Sequence, residues 1–212
     1  VSKIYCLHNF IYLIYASLSF HYHLTPMRYL AMLPLALLLN SCGNTPQSVS
    51  TAPPPNYTAL GDSITTEIQQ VFMQRVSAAM QQGGSEHAVT YCNIHAMPIT
   101  DSLSNIYHAS IQRLSNKNRN PLNAINATAD SLAWKKIETQ KVSFAEQKNE
   151  GEVVYYKPIF LAMPACIKCH GNTSDITEGT QVLLKQKYPN DLATGYSLGE
   201  LRGMWKIKFK TN

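Results

Sequence analysis

Cys166, Cys169 and His170 stand in the order Cys-x-x-Cys-His, inside the stretch Met163-Pro164-Ala165-Cys166-Ile167-Lys168-Cys169-His170-Gly171. That order is the attachment sequence for c-type haem. Two thiols three positions apart on a tight turn can each bond one vinyl group of the same porphyrin. The next residue, His170, then lies beside the iron as its proximal ligand. Two other chemistries use the same residue types. A redox dithiol needs thiols of low pKa, usually at a helix start after a strand in a βαβ unit, and the sequence shows no such unit. Zinc is the stronger rival: Cys92-Asn93-Ile94-His95 is itself a Cys-x-x-His, and Cys92, His95, Cys166 and Cys169 would make an ordinary four-ligand set.

A haem iron held by His170 leaves a sixth position. Cys92, His95, Met97, His87, His108, Met163 and Met204 are the candidates. Cys92 falls on one apolar side with Ala88, Val89 and Ala96, so it should be buried, either as a ligand or simply as a small hydrophobe. His95 is one turn on and is the alternative ligand, whereas His87 and His108 read as surface residues. Arg119 and Arg202 can neutralise the haem propionates, because a guanidinium pairs with a carboxylate through two parallel hydrogen bonds. Tyr156, Tyr188 and Tyr196 are candidates to line the pocket. No paired carboxylates, Gly-x-Ser-x-Gly or phosphate-binding loop argues for a hydrolase or kinase, so the chain is not expected to be an enzyme.

The elements that must position these groups begin well into the chain. Of 212 residues 45% are apolar and 15% charged, which suits one ordinary domain with appendages. Residues 1–41 carry no acid and only Lys3 and Arg28 as bases. From Met27 a short positive start, an apolar run and small residues before a cysteine follow one another, the three parts of an export signal. The run is shorter than the roughly 20 residues a bilayer-spanning helix needs. Leu39-Asn40-Ser41-Cys42 resembles a bacterial lipobox, implying cleavage before Cys42 and lipidation of its thiol. Residues 1–26 then read as an upstream extension, and Cys6 has no assigned role. A net charge of +5 over the whole chain names no polyanionic partner, so nucleic acid is not expected. Residues 43–60 are small, polar and Pro-rich, an extended tether; the lipidated end and linker together occupy 42–62.

Apolar residues then recur at helical spacing. Ile64, Ile68, Phe72, Val76 and Met80 predict a helix over 63–82, capped by Asp62 or Ser63 and stopped by Gly83. A second helix covers 86–97, with Pro98 bending or restarting it. Further helices are expected over 99–114, 122–137 and 177–187. The period changes to two at Val142 and Phe144; a turn at 148–151 follows, then a strand over 153–161. In the last strand, 204–210, Trp205, Ile207 and Phe209 should face inward and Lys206, Lys208 and Lys210 outward. Helices followed by antiparallel strands give an α+β fold for residues 63–212.

Around the Cys-x-x-Cys-His the chain resembles a family of exported bacterial c-type haem domains, of the "domain of unknown function" kind, that have a PAS-like fold. The resemblance runs from about Ser63 to Phe209. It rests on Val89-Thr90-Tyr91-Cys92 followed by Ala96 and Pro98, on Arg119-Asn120-Pro121 with Asn123, and on Tyr156-Lys157-Pro158 before the Cys-x-x-Cys-His. Tyr188-Pro189-Asn190-Asp191-Leu192-Ala193-Thr194-Gly195-Tyr196 and Gly199-Glu200-Leu201-Arg202-Gly203 complete it. Trp134-Lys135-Lys136-Ile137-Glu138 departs from the family's Trp-Glu pair. The resemblance implies a PAS-like antiparallel sheet with N-terminal helices, one covalent haem c, and Cys92 as distal ligand. A thiolate there would favour ferric iron and a low potential. The expected function is electron transfer or redox sensing by a lipid-anchored monohaem cytochrome facing the periplasm, more readily on the outer membrane. A haem-based gas or redox sensor working with a separate signalling partner is the alternative within the same chemistry, and the zinc-stabilised lipoprotein the alternative outside it.

Overall fold

The computed structural model describes residues 55–211; the lipobox cysteine Cys42, Cys6, the export signal and most of the tether lie outside them. The first element, α1 (Tyr57–Ile106), starts six residues before the expected helix. Its cap is Asn56, whose side chain accepts from the backbone N–H of Ala59 at 3.1 Å, not Asp62 or Ser63. Tyr57 packs on Phe209 with ring centroids 5.2 Å apart, which anchors the first turn of the helix on the sheet.

The expected stop at Gly83 is real but local. Gly83 is extended (φ −169°) and Gly84 takes φ 66° with ψ −161°, a conformation that only glycine adopts readily. The helix resumes at once, its direction changed, and Ser85 Oγ meets Thr180 Oγ1 at 2.7 Å. Pro98 does not end it: its missing N–H would have bonded the carbonyl of Ile94, which lies at an exposed turn.

A four-stranded antiparallel sheet follows, ordered β1-β4-β3-β2, with β1 at Ser110–Leu114, β2 at Phe144–Asn149, β3 at Glu152–Phe160 and β4 at Leu201–Lys210. β1 replaces the end of the helix expected over 99–114. The chain leaves α1 at Tyr107 and reverses through His108, a non-glycine residue at φ 49°. Ile111 and Leu114 are three apart, a spacing that fits one helix face, yet in the strand they bury on opposite faces. The helix expected over 122–137 is likewise displaced: Pro121–Asn123 is a single 3₁₀ turn and α2 runs Thr128–Gln140. Leu122 and Leu132, apolar residues of the expected helix, are 72% and 62% exposed. α3 (Pro164–His170) and α4 (Glu178–Lys187) complete the fold; Thr177 caps α4 through its side chain.

The sheet has a core on each face. Ile64, Ile68 and Phe72 of α1 pack with Tyr155, Trp205 and Ile207 on one side. Ala133, Trp134 and Ile137 of α2 pack with Val154, Tyr156 and Met204 on the other. Burying each large apolar side chain contributes about 1.5–3 kcal/mol. The second core overturns one expectation: Lys206 does not face water. It is buried, with Nζ 2.7 Å from Asp130 Oδ2, while Tyr156 donates its hydroxyl to Asp130 Oδ1 at 2.8 Å. Among the described residues no helix is long and apolar enough to cross a membrane.

Candidate functional site

α3 is the short helix that carries the Cys-x-x-Cys-His. Pro164 sits in its first turn, where a missing N–H costs nothing, and Met163 is the N-cap. Cys166 and Cys169 are therefore one helical turn apart on one face, both partly buried and both free thiols. The end of α3 is clamped by the loop before β4. Tyr196 N–H donates to the carbonyl of His170 at 3.0 Å and Gly195 N–H to that of Gly171 at 2.7 Å. Arg119 Nη2 donates to the carbonyl of Cys169 at 2.5 Å.

The imidazole of His170 is oriented by the same loop. Its Nδ1 lies 2.7 Å from the carbonyl oxygen of Ala193. A contact that short to an acceptor requires Nδ1 to carry the proton, which leaves Nε2 with its lone pair free. Arg202 Nε, 3.4 Å from the same Nδ1, is then an electrostatic neighbour rather than a donor. Burial, then the guanidinium groups of Arg119 and Arg202, hold the His170 pKa well below its ordinary value, so the ring is neutral. Tyr196 packs edge-on to it at 6.5 Å.

These groups open onto a cavity of about 280 Å³ between α1 and the sheet. Phe72, Val76 and Val89 of α1 and Trp205 of β4 give it apolar walls. Cys166, Cys169 and His170 line it from α3, and Cys92 lines it from the second half of α1. Cys92 and the Cys-x-x-Cys-His, more than seventy positions apart in sequence, thus share one cavity. Burial raises the Cys92 thiol pKa, with Arg113 and Arg119 opposing. Burial also pushes Cys169 up to about 11, against the pull of Arg119. That is the reverse of the lowering that makes a dithiol reactive.

The other candidates divide. Arg119 lines the cavity, but its Nε pairs with Asp191 Oδ2 at 3.0 Å while its Nη2 reaches the Cys169 carbonyl, so it ties α3 to the loop before β4 instead of standing free for a carboxylate. Arg202 also lines it, with Nη1 donating to Ser115 Oγ at 3.1 Å and to the Lys117 carbonyl at 3.0 Å. Tyr188 is in the lining. Tyr156 is not: successive residues of β3 point to opposite faces, and Tyr156 is sealed under α2 beside Asp130. Met97 and Met163 reach the cavity; Met204 is buried on the far face, and His87 and His108 are exposed. His95 is exposed too, stacked on Tyr91 at 4.5 Å, and does not line the cavity. The zinc set of Cys92, His95, Cys166 and Cys169 is therefore not brought together. Among the described residues no group of three or more His, Cys, Asp or Glu is arranged to hold a metal ion. Arg113 of β1 is the lining residue that sequence reading misses. With 110–114 read as helix, nothing in the sequence points its side chain at Cys92.

The fold has a solved counterpart. The crystal structure of the cyanobacterial heme-protein Tll0287 superposes with a TM-score of 0.58 at 21% identity, over 76% of this chain and 98% of that one. The α+β architecture is therefore shared. No curated protein matches the sequence. Residues 50–209, a stretch that takes in the whole described fold as far as Phe209 and every residue of the cavity, match the family described as Tll0287-like, and the chain belongs to that family.

Proposed function

We propose that this protein is a haem-binding cytochrome that works in electron transfer or redox sensing and makes or breaks no substrate bond. The observation that carries this reading is the convergence of Cys166, Cys169, His170 and Cys92 on one apolar-walled cavity. The heme-protein Tll0287 shares the fold, which adds to it. The donors present suit a porphyrin. Two thiols on one helical face match two vinyl groups, and a neutral imidazole held through Nδ1 offers Nε2 to iron. The haem would supply a one-electron couple.

Cys166 and Cys169 are assigned the thioether bonds, and His170 the proximal position. Cys92, across the cavity on α1, is assigned the distal position. Ala193 and Tyr196 keep the His170 ring from turning, and Arg119 keeps α3 against the loop that carries them. α1 and Trp205, which wall the cavity, would exclude water from a bound porphyrin. We read the sheet, with its order β1-β4-β3-β2, as the PAS-like sheet of the resembling domains. Cys42 is proposed as a lipid anchor holding the domain on the periplasmic side of a membrane, where a separate redox or signalling protein would meet it.

The test is an absorption spectrum of the full chain, expressed with export and haem attachment, taken oxidised and reduced for wild type and Cys92→Ala. A Soret band that stays with the denatured polypeptide after acidified organic extraction is the expected result. A shift of the oxidised spectrum in Cys92→Ala is expected as well. Pigment lost to the solvent, or none at all, overturns the covalent reading. An unchanged Cys92→Ala spectrum removes Cys92 as ligand. Carbon monoxide and nitric oxide titrations of both oxidation states separate gas sensing from the other roles.

A further inference from the structure

The cavity has an uneven charge. Arg113, Arg119 and Arg202 all line it, and no Asp or Glu does. Two of the three are occupied by the protein, Arg119 by Asp191 and two backbone carbonyls, Arg202 by Ser115 and the Lys117 carbonyl. Arg113 differs. It stands opposite Trp205 in the β1–β4 register, with its guanidinium carbon 4.3 Å from the Phe72 ring centroid and 5.8 Å from that of Trp205. Among the described residues no ion pair holds it, and the influences on its charge include no hydrogen bond. Desolvation brings its pKa down to about 10, with Cys92 the largest opposing influence. A guanidinium stacked on an aromatic ring still carries its N–H donors around its edge, a fork shaped for a carboxylate. A partly buried guanidinium that lines this cavity with no acidic side chain beside it is placed to meet an anion that an occupant brings.

We propose that Arg113 is an anion-holding residue of this cavity, and that the anion is a carboxylate of the porphyrin, a propionate. This rests on the haem reading above and moves the propionate role from Arg119 and Arg202, to which the sequence points, onto Arg113. The rival anion is a thiolate at Cys92, and the experiment separates the two.

Haem-loaded full chain is compared as wild type, Arg113→Met, Arg113→Gln and Arg113→Lys, each also with Cys92→Ala. The readouts are the reduction potential from spectroelectrochemistry and the propionate-bending band in resonance Raman spectra. Arg113→Met should move the potential to lower values, because a fixed positive charge that opposes ferric iron is gone, and should shift the band. Arg113→Lys should restore most of the potential, and both effects should persist with Cys92→Ala. If Arg113→Met does not load, Arg113→Gln, which keeps donors and loses charge, against Arg113→Lys gives the same comparison. Loaded protein with potential and band unchanged overturns the assignment. So do effects that vanish with Cys92→Ala, because the charge then acts on the thiolate. A wild type without covalent pigment fails at the earlier step and takes the haem reading with it.

Discussion

Asp130, Lys206 and Tyr156 form a buried polar cluster on the sheet face away from the cavity, and its energetics are asymmetric. Lys206→Met leaves a carboxylate under α2 with only the Tyr156 hydroxyl to meet it, which costs about 3–5 kcal/mol. Urea denaturation of that variant should show the loss, and Lys206→Met with Asp130→Leu should recover most of it. The haem-side spectrum should not move in either, since neither residue reaches the cavity. Nothing in the sequence distinguishes Lys206 from Lys208 or Lys210: alternation places all three on one face. What decides is that α2 covers that face over Lys206 and stops short of Lys210, which is exposed. The same blindness misassigned Tyr156, whose neighbour Tyr155 looks identical in sequence and faces the other core. By contrast the place of Cys92 is legible, because helical period alone sets it beside the buried Ala88 and Val89, although the thiol itself is only partly buried.

α1 and β3 meet closely at Gly61. A Cβ on Gly61 would fall 2.3 Å from the Tyr155 ring, so Gly61→Ala must push helix and sheet apart. Overpacking of this kind costs about 1–3 kcal/mol, readable as a lower urea midpoint. At the break, Gly84→Ala forces a side chain into a glycine-only conformation, at about 1–3 kcal/mol. Because the second half of α1 carries Cys92, that variant should also perturb the oxidised absorption spectrum, which Gly61→Ala should not. The elements themselves were read well where one period ran unbroken, in 63–82, the β2–β3 hairpin and 177–187. They were misread where a short strand and a 3₁₀ turn have no period long enough to show. His108 turns the chain at positive φ without being glycine or proline, so no sequence signal announces it.

Across the whole molecule, acid should act through the contact between α1 and β3. Burial opposes ionisation of Asp62, but hydrogen bonds from Tyr155 at 2.7 Å, Ser143 at 3.1 Å and the nearby Lys157 ammonium outweigh it and hold its pKa below the ordinary value. A carboxylate whose pKa is depressed on folding adds stability above the unfolded-state pKa, about 3.9, and loses it as pH falls through the folded value. Wild type should therefore exceed Asp62→Asn in melting temperature at pH 6, and the gap should close below about pH 4. The family fold and cavity were legible from motifs spread over most of the chain, whereas which arginine stands unpaired was a property of the assembled sheet alone. That sheet is also short at its margins. β1 spans five residues, and β2 carries a bulge between Gln147 and Asn149 with Lys148 beside it. Such margins are poor templates for a further strand from another copy, so the protein should resist edge-to-edge aggregation even at high concentration.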